Sequence, residues 1–132
     1  MPSQREDCLF CSIVREGNYV RKEKGFVAIK DINPQAAVHL LVIPERHVDS
    51  FPEIGEFPAR EAKRMLEFVA DTAREAGLTD YRVQVNVGAS AGQTIFHLHW
   101  HIIGEGPQVD VPAHAETAVV ELRRSSSGSR AR

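Results

Sequence analysis

The sequence predicts an α+β domain: one mostly antiparallel sheet of five strands, one short and one long helix, and a chemical surface on the sheet face opposite the long helix. Three observations carry this. Residues 81–87, YRVQVNV, and 93–103, QTIFHLHWHII, alternate with period two, as strands do. Only residues 58–77 carry a long apolar stripe at helical spacing. The strands come in consecutive runs on either side of that helix, three before and two after, which is the pattern of an α+β layer.

Taken in order, residues 1–7 read as a polar leader. In CLFCSIVREG, Leu9, Ile13 and Val14 have helical spacing, and Gly17 with Asn18 ends a short helix. A short strand is expected at 19–21, then a turn at Lys24-Gly25. Residues 26–32 form the second strand, stopped by Asn33-Pro34. The run VHLLVI at 38–43 suits a strand buried on both faces, and Pro44 closes it. Residues 45–55 are a polar connector. In the long helix, Ala62, Met65, Leu66, Val69 and Ala73 form the stripe, Pro58 suits the first turn and Gly77 the stop. The small-residue turn GASAG at 88–92 separates the last two clear strands. One more short strand is expected at 117–122, before a low-complexity end, SSSGSRAR, that reads as disordered.

At 132 residues the chain fits one domain, expected at 8–112 with an extension at 113–132. A net charge of −2 gives no global argument for nucleic-acid or membrane binding, although Arg123, Arg124, Arg130 and Arg132 make the end basic. No apolar run approaches the ~20 residues of a membrane span. MPSQRED lacks the apolar core of a signal peptide, so a cytoplasmic protein is expected. The two cysteines, Cys8 and Cys11, are too few and too close for a disulfide framework.

His97, His99 and His101 would share one face of the last strand, with Leu98, Trp100 and Ile102 on the other. Such histidines can simply line a polar face. Three histidines can also hold a catalytic zinc. Same-face neighbours on a strand lie ~6.6–7 Å apart, however, which puts His97 and His101 ~13 Å apart at Cα, too far to converge on one ion. The spacing permits a division of labour, one imidazole as nucleophile or base and its neighbour as orienter or proton donor. Residues 88–94, GASAGQT, add backbone N–H groups and the donors of Gln93 and Thr94 for an anion. An imidazole beside anion donors suits phosphoryl or nucleotidyl transfer.

HLHWHII resembles the signature of the histidine-triad (HIT) superfamily. KDINPQAAVHLLVIPERH at 30–47 and GQTIFHLHWHIIG at 92–104 are similar to its other blocks, and CLFC resembles the start of many bacterial members. The resemblance spans roughly residues 8–107 and is nearest the Hint-type branch. It implies a HIT-like fold acting as a two-fold dimer, in which the long helix and the 81–87 strand pair across the axis to make one continuous sheet. It also implies hydrolysis of purine nucleoside 5′-phosphoramidates or adenylates to the nucleoside monophosphate. His99 would be the nucleophile on the α-phosphorus, forming a nucleotidyl-histidine. His101 would lie near the leaving group, and His39 would hold the tautomer of His99. Gln93, Thr94 and Asn86 would serve the phosphate, Asp31 the ribose, and Ile32 with Phe10 the base. Dinucleoside polyphosphate hydrolysis, or nucleotide binding with negligible turnover, are the alternatives.

The spacing Cys8-x-x-Cys11 suits two ligands of a structural zinc, with two inert thiols or a redox pair as the other readings. The resemblance supplies His47 and His97 as the remaining ligands, and no metal in the chemical step. The sequence departs from the family where GQS is GQT and where Trp100 is bulky. EGPQVDVPAH after Gly104 matches nothing that shapes the leaving-group site, and His114 has no assigned role.

Overall fold

A computed structural model describes residues 7–106. The expected strand at 117–122, the tail, His114 and the boundary at 112 lie outside the described residues, as do residues 1–6 of the leader.

The first helix, α1 (Leu9–Glu16), begins where the Cys8 side chain accepts the N–H of Cys11. It ends at Gly17, whose N–H donates to the Ile13 carbonyl. A Cβ at Gly17 would meet that oxygen at 2.6 Å, so only glycine closes the helix this tightly. Strands β1 (Arg21–Glu23), β2 (Phe26–Lys30) and β3 (Val38–Pro44) follow as antiparallel neighbours. β1 starts two residues later than its sequence pattern suggests. A connector containing a 3-10 turn (Phe51–Glu56) leads to the long helix, α2 (Ala59–Glu75). Arg46 clamps that connector to α2 through two bonds to Glu61, at 3.0 and 2.8 Å.

The last two strands are shorter than the alternation predicts. β4 is Tyr81–Gln84 and β5 is Trp100–Gly104. Residues 85–87 leave the ladder to enter the turn at Ala89–Ala91, where Gly88 and Gly92 take φ of 89° and 99°. Those left-handed values suit glycine alone. Residues 93–99 run as irregular chain and bends, so His97 and His99 precede the strand and only His101 lies in it. The sheet order is β1-β2-β3-β5-β4.

Cross-strand partners share a face. Val42 lies opposite Trp100 and Leu40 opposite Ile102, and this face packs against Met65, Phe68, Val69 and Ala73 of α2. Leu98 joins it, so Leu98, Trp100 and Ile102 pack together under α2 as the alternation predicts. Leu66, placed in the stripe by spacing, is 53% exposed, and Phe68 occupies the core in its place. The opposite face carries Val27, Leu41 and Ile43, covered by Phe10 and Val14 of α1. His39 and His101 lie on this second face, beyond the cover of the helix.

Candidate functional site

The β3–β5 register sets the site. Leu41 lies opposite His101 and His39 opposite Ile103. His39 therefore sits beyond His101 as seen from His99. Its Nε2 is 2.9 Å from His101 Nδ1 and 3.2 Å from Asp31 Oδ2. The N–H of Gln35 donates to His39 Nδ1 at 3.0 Å, which leaves the ring proton of neutral His39 on Nε2. That N–H points between two acceptors, the nearer being His101 Nδ1. His101 in turn carries its own proton on Nε2, facing away from His39. Asp31 is kept in place by an Asx turn, its Oδ1 accepting the Asn33 N–H at 2.8 Å.

His99 is held differently. Its Nδ1 is 2.7 Å from the carbonyl oxygen of His97. A carbonyl only accepts, so Nδ1 bears the proton and Nε2 bears the lone pair. Among the described residues, Nε2 has no hydrogen-bond partner. The Phe10 ring stands edge-on to His99 at 5.0 Å and 88°, and the His101 ring lies 5.2 Å away. Adjacent rings thus present opposite chemistry, a lone pair on His99 and an N–H on His101. Burial lowers the pKa of His99, against the favourable bond to the His97 carbonyl. Burial, with His99 and His39 nearby, takes His101 down to about 4. Both rings are therefore neutral near pH 7.

The expected role of His39 is corrected by this geometry. The tautomer of His99 is set by the His97 carbonyl, and His39 orients His101. Gln93 is corrected too. It is 3% exposed, and its side chain is fully engaged within the protein. Its oxygen accepts from Ser50 Oγ (2.7 Å) and the Gly88 N–H (3.0 Å), and its NH2 donates to the carbonyls of Asp49 (2.8 Å) and Ile95 (3.0 Å). Gln93 staples the loop and has no donor left for a phosphate. The N–H groups of Ala91, Gly92 and Gln93 are likewise spent inside the turn. Asn86 spans the same turn, donating to the Ala91 carbonyl at 2.8 Å. Thr94 is exposed. Phe10 is buried against His99, whereas Ile32 is 91% exposed. A cavity of about 480 Å3, lined by Arg21, Lys30, Asp31, His39, Thr72 and Glu75 among others, borders the Asp31–His39 side of the site and not His99.

A second constellation lies on the other side of His99. Cys8 Sγ, Cys11 Sγ, His47 Nδ1 and His97 Nδ1 all fall within 4.8 Å of one another, close enough to hold one metal ion. Cys8 caps α1 and Cys11 sits on its first turn. His47 comes from the connector, and His97 from the bend before β5. The Nε2 of His97 lies 2.8 Å from the Pro44 carbonyl, and that of His47 lies 2.9 Å from Asp49 Oδ1. Each imidazole therefore donates through Nε2 and turns a lone pair inward from Nδ1. These two nitrogens are 3.1 Å apart. Burial pushes His97 down to about 4. A cation bound by both nitrogens would account for their close approach. Asp31, His39 and His101 are also close enough to share an ion, but there a donor faces acceptors and the hydrogen bonds account for the approach.

Sequence reasoning did not foresee the parts played by Asp49, the Pro44 carbonyl and the Gln35 N–H. Asp49, two residues after His47 in a connector, carries the one signal that side-chain chemistry could have flagged. The other two are backbone groups, which composition does not reveal.

The model of the HIT domain family matches residues 14–108. Protein HitA of Neisseria gonorrhoeae is 37% identical over 103 residues, covering 75% of this chain and 96% of its own. The purine nucleoside phosphoramidase of Escherichia coli K12 is 28% identical over 114 residues, 83% of this chain and 96% of that enzyme. Among solved structures, a HIT family hydrolase from Clostridium thermocellum is 34% identical with a TM-score of 0.71, covering 83% of this chain and 99% of that one.

Proposed function

The chain belongs to the HIT domain family, and from that premise we propose that it hydrolyses purine nucleoside 5′-phosphoramidates, or adenylates, to the nucleoside monophosphate. The observation that carries this reading is the pairing of tautomers: His99 offers a lone pair at Nε2 beside the Nε2–H of His101. The phosphoramidase named among the relatives supports the substrate class.

His99 Nε2 attacks the α-phosphorus, a P–N bond forms to the imidazole, and the bond to the leaving nitrogen breaks. His101 Nε2–H donates to the phosphate oxygens and the leaving nitrogen, where negative charge builds. His39, with Asp31 behind it, keeps that N–H aimed. The departing amine takes its proton from water, and the nucleotidyl-histidine is then hydrolysed, so that one water is consumed overall. Thr94 supplies a hydroxyl to the phosphate, Asp31 accepts from the ribose hydroxyls, and Ile32 packs the base.

The four-residue cluster fits zinc. Bond lengths of ~2.3 Å to sulfur and ~2.0–2.1 Å to nitrogen put tetrahedral ligands roughly 3.3–3.8 Å apart. Three of the Sγ–Nδ1 separations are 3.3–3.5 Å, and the Nδ1–Nδ1 separation, 3.1 Å, is slightly shorter than that range. Cys8, Cys11, His47 and His97 would hold the ion, which cross-links α1, the connector and the approach to β5 and takes no part in the chemical step.

A two-fold dimer is proposed on the same footing. β4 lies at the sheet edge with Tyr81 and Val83 exposed, and Leu66 of α2 is exposed as well. Pairing two β4 edges would protect both.

The decisive assay is a panel of adenosine 5′-phosphoramidate, an aminoacyl-adenylate and a dinucleoside polyphosphate, with release of AMP measured for wild type and His99→Ala. Wild type should favour the phosphoramidate, and His99→Ala should lose at least ~10³-fold in kcat/KM while still binding AMP. Undiminished turnover by His99→Ala would remove the nucleophile assignment. Preference for the polyphosphate would change the substrate class, and AMP release from none of them would mark a nucleotide-binding adaptor.

A further inference from the structure

We infer that the cavity of about 480 Å3 between α2 and strands β1–β3 is a second ligand site, for a small aliphatic carboxylate, with Arg21 and Thr72 as its anion-binding groups.

The cavity lies on the α2 side of the sheet. Arg21 of β1 is the cross-strand partner of Ala28, a residue of the core under α2. Lys30 of β2 is likewise the partner of Leu40 on that face. Cross-strand partners share a face, so both cations belong to the α2 side. Thr72, Glu75 and Ala76 close the cavity from the C-terminal end of α2. Asp31 and His39 also line it, near the ends of the same two strands, where their side chains are bonded to each other at 3.2 Å. His99, Phe10 and Thr94 do not line it.

Two of its residues carry a buried polar atom with no hydrogen-bond partner among the described residues, Arg21 Nη1 and Thr72 Oγ1. Arg21 is otherwise fully tied. Its Nε lies 3.1 Å from Glu75 Oε1, its Nη2 lies 2.7 Å from Glu23 Oε2, and its Cζ stands 4.6 Å from the centre of the Phe68 ring. Phe68, Thr72 and Glu75 stand four and three residues apart on α2, so they share one helix face. A guanidinium held between Phe68 and Glu75 therefore lies along the turn that carries Thr72. A threonine inside a helix commonly bonds the carbonyl one turn back or reaches water. Thr72 does neither, at 2% exposure. A guanidinium N–H and a hydroxyl left without partners in one buried place are costly, and one acceptor would serve both.

The surroundings select the ligand. Glu23 and Glu75 already hold two edges of the guanidinium, so a doubly charged phosphate would meet two carboxylates, whereas a single carboxylate balances the remaining charge of Arg21 and Lys30. The rest of the wall is aliphatic, from Val20, Pro34, Ala37, Val38, Leu40 and Ala76. No aromatic side chain lines it, so it has no surface on which a nucleobase would stack. An apolar wall with a few convergent polar groups is the usual form of a small-molecule site.

The test is a titration of the full chain with hexanoate, read from backbone 1H–15N shifts, beside hexanamide as the uncharged control. Hexanoate should saturate at a Kd of about 0.1–1 mM and move the amides of Lys30, Leu40, Thr72 and Ala76. Hexanamide should bind at least ~10-fold more weakly. Saturating AMP should leave the hexanoate Kd unchanged. Arg21→Met keeps a side chain over Phe68 and should weaken hexanoate at least ~10-fold, and Thr72→Val, which keeps the volume, should weaken it about 3–10-fold. Without ligand, Thr72→Val should melt no lower than wild type, because the hydroxyl it removes has no partner; this arm stands even where Arg21→Met fails to fold. Absence of saturation, equal binding of the amide, or full affinity in Thr72→Val would overturn the inference. Displacement of hexanoate by AMP would overturn it as well, since the cavity would then be part of the nucleotide site. The titration needs no turnover, so its outcome is independent of the activity proposed above.

Discussion

Replacing Gln93 with alanine removes four hydrogen bonds from the base of the 88–92 turn. Ser50 Oγ and the Gly88 N–H lose their acceptor, and the carbonyls of Asp49 and Ile95 lose their donor. Each such bond contributes about 1 kcal/mol net. Gln93 is almost fully buried, but water reaches the neighbouring loop once the side chain is cut back, so the loss should be about 3 kcal/mol and not the full desolvation cost of four groups. For 132 residues the entropy of unfolding is about 0.28 kcal/mol/K, and the transition should fall by roughly 10 °C. Gln93→Glu should be at least as damaging, since it turns a carboxylate oxygen toward two carbonyls. Thermal unfolding and steady-state kinetics separate this from a phosphate-binding role. A Tm within about 2 °C of wild type, together with a raised KM, would refute the staple and return Gln93 to the substrate.

His101 provides a pH prediction. Its folded pKa, about 4, lies below the ordinary value of 6.5. Between those values the unfolded chain binds a proton that the folded protein excludes, so stability rises with pH through that window and is lost as pH falls from 6.5 toward 4. Urea unfolding of wild type should therefore weaken more steeply over that window than His101→Asn does, by up to about 1.4 kcal/mol per pH unit; parallel losses in the two proteins would contradict a buried neutral imidazole. At the exposed edge, Val83→Lys places a charge in the proposed β4–β4 contact and should shift sedimentation from dimer to monomer, whereas an unaffected dimer would place the interface elsewhere.

Much of this protein was legible from its sequence. The alternation of residues 98–102 identified the face buried under α2, because side-chain direction in extended chain depends on local geometry alone. The apolar run at 38–43 identified a central strand, and the CxxC spacing identified two residues able to share an ion. The limits appeared where an outcome depends on pairing between distant segments. Three equally spaced histidines looked equivalent, yet the chain leaves the ladder before Trp100, so His97 turns to the metal cluster, His99 to a backbone carbonyl and only His101 stands on the strand. His39 pairs with His101 because the register between segments 62 residues apart places it there. Gln93 and Thr94 are adjacent in sequence, but the fold buries one among four partners and exposes the other. Residue type and spacing determined which chemistry this chain carries. Register, and the hydrogen bonds it permits, decided which nitrogen holds each proton, because a tautomer is set by the group opposite it and that group comes from elsewhere in the chain.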